Sequence, residues 1–253
     1  MSEQKIIQGD CLEVMKTFAD KSFDLVVTSP PYDNLRTYNS SLVWGEHVWK
    51  PVIQELFRVI KDGGVIVWVV GDATIKGSET GTSFKQALYF KEIGFNLHDT
   101  MIYQKLNYPP LTHNRYEQCF EYMFILSNGK PKTFNPIKVE TKHRGRIPSG
   151  TFYHKSSQNI PTKANNNKSG NELKIKQNIF EYVVGGKKDG HPAIFPEKLA
   201  HDHIISWSNE GDVVLDPFAG SGTVGKIAKQ LNRNYILIEK EQEYIDIINK
   251  RLS

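Results

Sequence analysis

Four short apolar runs constrain what this chain can fold into. Phe23–Thr28 reads FDLVVT, Val65–Val70 reads VIVWVV, Val213–Leu215 reads VVL and Tyr235–Ile238 reads YILI. None keeps a strict apolar–polar alternation. Such runs suit strands buried on both faces, as in a parallel sheet covered by helices on two sides. Helical stretches lie between them. Trp49–Ile60 places Val52, Ile53, Leu56, Phe57 and Ile60 on one face, and Asp62-Gly63-Gly64 is expected to stop it. Cys11–Phe18, Ser83–Ile93, Phe195–Trp207, Ser221–Leu231 and Glu241–Leu252 are the other predicted helices. Lys5–Gln8, Leu97–Gln104 and Cys119–Leu126 are further predicted strands. The last two have no helix between them, which predicts an antiparallel pair. The fold class is α/β, with a mostly parallel sheet.

Charge divides the chain into three. The 253 residues carry a net charge of +4, but residues 1–129 sum to −3, residues 130–188 to +10 and residues 189–253 to −3. The middle block is rich in Lys, Asn, Ser and Gly and nearly free of periodicity. It reads as a loop-rich basic insertion suited to a polyanion, because clustered cations gain affinity by releasing counterions from phosphates. The two cysteines, Cys11 and Cys119, are too few for a disulfide framework. No apolar run reaches the roughly 20 residues that span a bilayer, and residues 1–5 lack a signal core. The expectation is a soluble, cytoplasmic protein with no membrane association.

Two loops carry chemistry. Ser29-Pro30-Pro31-Tyr32 ends the second predicted strand. Adjacent prolines fix two backbone angles and remove two donors, which makes a rigid turn with a hydroxyl on one side and an aromatic ring on the other. Asp216-Pro217-Phe218-Ala219-Gly220-Ser221-Gly222-Thr223 follows a strand and opens a helix, and the next strand ends in Glu239. Glycines there permit close approach of backbone to a ligand, and a carboxylate at the next strand end can accept from ribose hydroxyls. Residues 220–225 also fit the dinucleotide pattern G-x-G-x-x-G. Asp216 opposes that reading, since it would repel a pyrophosphate and suits a cationic amino group. Only 14 residues follow Glu239, too few to complete a dinucleotide domain. A dinucleotide-dependent oxidoreductase and a non-catalytic DNA-binding module are the rival functions.

Together the two loops resemble those of the amino-group DNA methyltransferases that use S-adenosylmethionine. The catalytic loop precedes the basic segment and the cofactor loop comes last, an order similar to the permuted, beta-type group. The resemblance implies a Rossmann-like, seven-stranded, mostly parallel sheet with one antiparallel strand, circularly permuted. It implies one methyltransferase domain in two halves, 1–129 catalytic and 189–253 cofactor-binding, around a target-recognition insertion at 130–188. Asp216, Phe218, Gly220, Ser221, Gly222, Thr223 and Glu239 are the expected cofactor residues. Gly9-Asp10-Cys11 resembles the segment at the cofactor's adenine, and His191 with Phe195 the segment closing over it. Asp10 as a helix cap and Phe195 as a hydrophobic staple are the structural alternatives.

An exocyclic amine is a poor nucleophile because its lone pair is delocalised into the ring. Acceptors aimed at its N–H groups favour the more tetrahedral form that attacks a sulfonium methyl. Ser29 and the Pro30 carbonyl are the expected acceptors, Pro31 stiffens the turn, and Tyr32 offers a face for a base flipped from the duplex. Asp72, after Val70 and Gly71, is a candidate to receive the amine proton, or simply a turn aspartate. In the family, Ser at the first motif position goes mainly with cytosine N4 and Asp or Asn with adenine N6. The expectation is N4-cytosine methylation of double-stranded DNA, with N6-adenine as the alternative and no metal. A cognate restriction endonuclease is a conceivable partner, and the protein is a monomer or homodimer. Arg36, Lys142, His143, Arg144, Arg146 and Lys155 are the expected DNA contacts. Affinity for duplex DNA, measured by titration at increasing salt, is expected to fall steeply; a flat response would remove the role of the basic block.

Overall fold

The computed structural model describes residues 4–31, 44–108, 114–141, 153–155, 161–163, 172–184 and 195–253, with 153–155 and 161–163 described by backbone alone. The chain divides into two compact units, 1–135 with 178–253, and 136–177.

The first unit is built on one sheet. Its amino-terminal elements are β1 (Gln4–Gln8), α1 (Cys11–Met15), β2 (Phe23–Thr28), α2 (Glu46–Val59) and β3 (Ile60–Val70). A small hairpin of β4 (Thr74–Ile75) and β5 (Ser78–Glu79) leads into α3 (Thr82–Glu92), followed by β6 (Asn96–Lys105) and β7 (Phe120–Ser127). The second unit contains β8 (Lys138–Glu140), β9 (Tyr153–Lys155), β10 (Pro161–Lys163) and β11 (Leu173–Ile175). There β8 pairs antiparallel with β11, and β9 with β10. The chain then returns through β12 (Ile179–Tyr182), α4 (Glu197–Trp207), β13 (Val213–Asp216), α5 (Thr223–Gln230), β14 (Asn234–Glu239) and α6 (Gln242–Leu252). Among the described residues no helix is long and apolar enough to cross a membrane.

The sheet order is β1-β14-β13-β2-β3-β7-β6-β12. Only β7 runs antiparallel to its neighbours, pairing that way with both β3 and β6. The α/β class and the single antiparallel strand match the sequence expectation, but among the described residues the sheet has eight strands, not seven. The eighth, β12, comes from a stretch whose composition groups it with the basic block. Its alternation explains the difference: Phe180 and Tyr182 are buried while Ile179 and Glu181 are exposed. Residues 130–135 and 178–184 thus belong to the first unit.

The apolar runs behave as their composition requires. Val26, Ile66, Trp68, Phe124, Leu215 and Ile236 form a core with Trp49, Ile53 and Leu56 of α2 and Phe90 of α3. Leu199, Ala200 and Ile204 of α4 and Val224 and Ala228 of α5 are also buried, and α4 packs against β2 and α5 against β13 and β14. One predicted stop moves. Helix α2 ends where Ile60 turns extended (φ −76°, ψ 138°), and Asp62-Gly63-Gly64 lies inside β3. Gly63 has φ +74°, its N–H donates to Asn128 O at 2.6 Å, and an added Cβ would meet Lys132 at 2.9 Å. The glycines there admit a neighbouring segment and do not terminate the helix.

Asp72 follows β3 and is 7% exposed. Its Oδ1 accepts from Ser83 N at 2.9 Å and its Oδ2 from Ser83 Oγ, so it ties β3 to the first turn of α3. Asp72→Ala is expected to cost about 1–2 kcal/mol in urea unfolding, as loss of a helix cap does.

Candidate active site

Strands β2 and β13 lie side by side at the middle of the sheet and run parallel, with Val214 opposite Leu25 and Leu215 opposite Val26. From β2 the sheet grows toward β3, and from β13 toward β14, so their carboxyl ends bound the crevice of a topological switch point. The two ends are joined directly. Thr28 Oγ1 donates to Asp216 Oδ1 at 2.7 Å, in a fully buried contact between residues 188 positions apart. Ser29-Pro30-Pro31 continue from one strand end and Pro217-Phe218 from the other.

The glycine loop is held by its own neighbours. Phe218 N donates to Asp216 Oδ1 at 3.1 Å. Glu239, at the end of β14, accepts from Gly220 N at 2.8 Å, Lys240 N at 2.8 Å and Glu241 N at 3.0 Å. Gly220 (φ +51°) and Gly222 (φ +77°) take the left-handed conformations that only glycine adopts without strain. A Cβ on Gly222 would also meet Ile248 at 3.0 Å. Arg251 Nη1 donates to both Ser221 O and Ser221 Oγ at 2.8 Å, fixing the turn from α6.

One cavity of about 280 Å³ opens over these strand ends. Its lining brings together Ser29, Pro30 and Pro31 with Asp10, Cys11, Asp216, Phe218, Gly220, Ser221, Thr223, Glu239 and Phe195. Gly222 sits behind it as the N-cap of α5. Asp10 caps α1, accepting from Leu12 N at 3.0 Å, and also lines the cavity. Asp72 is not in the lining, and its carboxylate is engaged by α3. Tyr32, Arg36, Lys142, His143, Arg144, Arg146 and His191 lie outside the described residues, and Lys155 is placed only as backbone in β9.

The lining also holds residues that sequence reasoning passed over: Trp44, Tyr103, Lys105, Glu121, Val184 and Tyr244. Trp44 packs edge-on against Phe218 with ring centroids 5.5 Å apart. Tyr103 and Lys105 share a face of β6 by two-residue spacing, and Glu121 stands opposite Tyr103 in β7. Only the strand register reveals that grouping.

Residues 23–250 match the DNA methylase family model of N6/N4 type. The chain belongs to the N6/N4 DNA methylase family. The orphan methyltransferase M.BamHII of Bacillus amyloliquefaciens is 50% identical over 254 residues, covering 94% of this chain and 91% of that protein. Among solved structures, the PvuII DNA methyltransferase, described as cytosine-N4-specific, aligns with a TM-score of 0.73 at 21% identity, covering 100% of this chain and 87% of that one. At that identity the likeness is one of fold. M1.HpyAVI, solved in complex with S-adenosylmethionine, gives a TM-score of 0.65 at 25% identity over 98% of each chain. This N6/N4 DNA methylase is an S-adenosylmethionine-dependent enzyme acting on DNA.

The electrostatics of the methylase cavity follow from burial. Asp216 is 4% exposed, and desolvation pushes its carboxyl from 3.8 up to about 7, against the opposing hydrogen bonds of Thr28 and Phe218. Burial raises Glu239 as well, opposed by its three backbone donors. Burial, reinforced by the charge of Asp10, pushes the Cys11 thiol up to about 12, so it stays a neutral thiol at neutral pH. A raised carboxyl keeps its proton in the folded state after the unfolded chain has released it. Asp216 therefore lowers stability as pH rises between about 4 and 7, and that cost is absent below about 4. Replacing Asp216 by Asn is expected to remove this fall, read as a smaller loss of urea midpoint between pH 5 and pH 7.5 than in the wild type.

Proposed function

We propose that this enzyme methylates the exocyclic N4 amine of cytosine in duplex DNA, taking the base out of the stack and transferring the methyl group directly. The observation that carries the proposal is the shared cavity: Ser29, Pro30 and Pro31 line the same space as Asp216, Phe218 and Gly220. Amine and methyl donor must meet in one place, and the adjoining ends of β2 and β13 supply it.

The chemistry of the lining fits S-adenosylmethionine. Asp216 offers a buried carboxylate to a cationic amino group. Glu239 offers its oxygens' remaining acceptor capacity to ribose hydroxyls, and Asp10 an acceptor for the adenine amine. Phe218 and Phe195 are among the apolar residues of the lining. When bound, S-adenosylmethionine supplies an activated methyl group on a sulfonium.

On the opposing side, Ser29 Oγ and the Pro30 carbonyl accept from the two N–H groups of the target amine. This draws its lone pair out of conjugation and toward the methyl, and it acts most strongly in the transition state. Neither Pro30 nor Pro31 has an N–H to compete for the carbonyl or the lone pair. Trp44, edge-on to Phe218, adds apolar surface to the lining. Positioning then carries most of the rate. A serine acceptor at position 29, together with the fold shared with a cytosine-N4-specific enzyme, favours cytosine over adenine.

The test is product analysis. Mixed-sequence DNA is incubated with labelled S-adenosylmethionine, digested and analysed by mass spectrometry, and sequencing maps the modified site. N4-methyldeoxycytidine is expected. N6-methyldeoxyadenosine alone would overturn the choice of base and leave the family intact. Ser29→Ala is expected to lower kcat by about 100-fold or more with cofactor affinity unchanged.

A further inference from the structure

The function above uses the half of the cavity formed by β1, β2, β13 and β14. The other wall, built from β6 and β7, is also charged. Lys105 Nζ lies 2.6 Å from Glu121 Oε1, and the two side chains are 24% and 15% exposed. Both line the cavity, as does Tyr103, whose ring lies 5.9 Å from Lys105 Nζ. Half-buried ion pairs are expensive to assemble and add little stability unless further groups complete them. The described carboxylates elsewhere in the lining are Asp10, Asp216, Glu239 and Glu241, all on the cofactor side.

We propose that Lys105 and Glu121 form the reading wall for the target base: Lys105 donates to the ring carbonyl of the extruded cytosine, and Glu121 cancels the ammonium's charge beside the reacting amine. The carbonyl contact rests on the N4-cytosine reading. A base whose amine is held by Ser29 presents its ring acceptors away from that serine. An ammonium carries three donors, and Glu121 takes one of them. The carbonyl is an acceptor that adenine lacks, so the contact adds selectivity for cytosine.

Glu121 is needed for a separate reason. The amine gains positive charge as its lone pair enters the new bond. An unpaired ammonium in the same cavity would oppose that change, whereas a neutral pair does not. Register places the pair well: Glu121 is directly opposite Tyr103, and Lys105 lies two residues farther along the same face. Lys105 touches the base directly, whereas Glu121 acts through Lys105 and is a positioning residue; neither exchanges atoms with the substrate.

The test combines three variants with one altered substrate. Lys105→Met is expected to raise KM for DNA by about 10-fold, the effect of losing a hydrogen bond to a charged group, with S-adenosylmethionine affinity unchanged by calorimetry. Glu121→Gln leaves the cation unpaired, and kcat falls. In the double variant Lys105→Met/Glu121→Gln, kcat recovers above that of Glu121→Gln while KM stays raised. In duplexes carrying the mapped site, 2-thiodeoxycytidine at the target weakens kcat/KM for the wild type but not further for Lys105→Met. Additive losses in the double variant, losses that track the urea midpoint, or an equal sulfur effect in both enzymes would overturn the proposal. A mapped product of N6-methyladenine would remove the N4 reading and the carbonyl contact together. N4-methylcytosine with additive variants would remove the reading wall alone.

Discussion

The contact between Thr28 and Asp216 is the point on which the architecture turns. It joins the tips of two adjacent parallel strands contributed by opposite ends of the chain. Side chains below it are apolar and buried: Leu25, Val26, Val214 and Leu215 are all fully covered. Above it, both strands stop in rigid turns. A hydroxyl donor at the tip of β2 gives the buried Asp216 carboxylate a partner that needs no charge of its own. Burial raises the acid to about 7, the hydrogen bonds from Thr28 and Phe218 favour its charged form, and a cationic ligand favours that form further. Without this junction the proline turn and the glycine turn would be two unrelated loops.

Backbone donors complete what the junction begins. Glu239 gathers three N–H groups from the loop and the strand end around it, and Arg251 grips Ser221 from the last helix. The loop is therefore shaped before any ligand arrives, so less ordering entropy is lost on binding. The same principle governs the proline turn, where covalent rings replace hydrogen bonds as the source of stiffness.

Much of this was legible in the sequence because it rests on local signals. Continuous apolar runs gave the central strands, and Phe23–Thr28 agrees to the residue. Glycines between Asp216 and Thr223 marked the loop, and the twelve predicted residues described in the cavity lining come from three short motifs, Phe195 and Glu239. What escaped depends on distant partners. β12 is four residues inside a polar tract, visible only once β6 is beside it. Gly63 looked like a helix stop because its role, admitting residues 128–132, is tertiary. Asp72 drew attention by standing at a strand end, yet its oxygens serve α3. Lys105 and Glu121 are unremarkable alone and acquire meaning through cross-strand register.

The strand order also sets the timing of assembly. β2 can pair with β3 as soon as the first 70 residues exist, but its other edge waits for β13, whose residues are made nearly 190 positions later. β1 waits longer still, for β14. Until then the emerging chain carries an open, apolar strand edge, the surface most prone to pair with a stranger. Contacts this far apart in sequence also slow folding. Among the described residues, the sheet is complete only after β13 and β14 have been made and have filled the gap between β1 and β2.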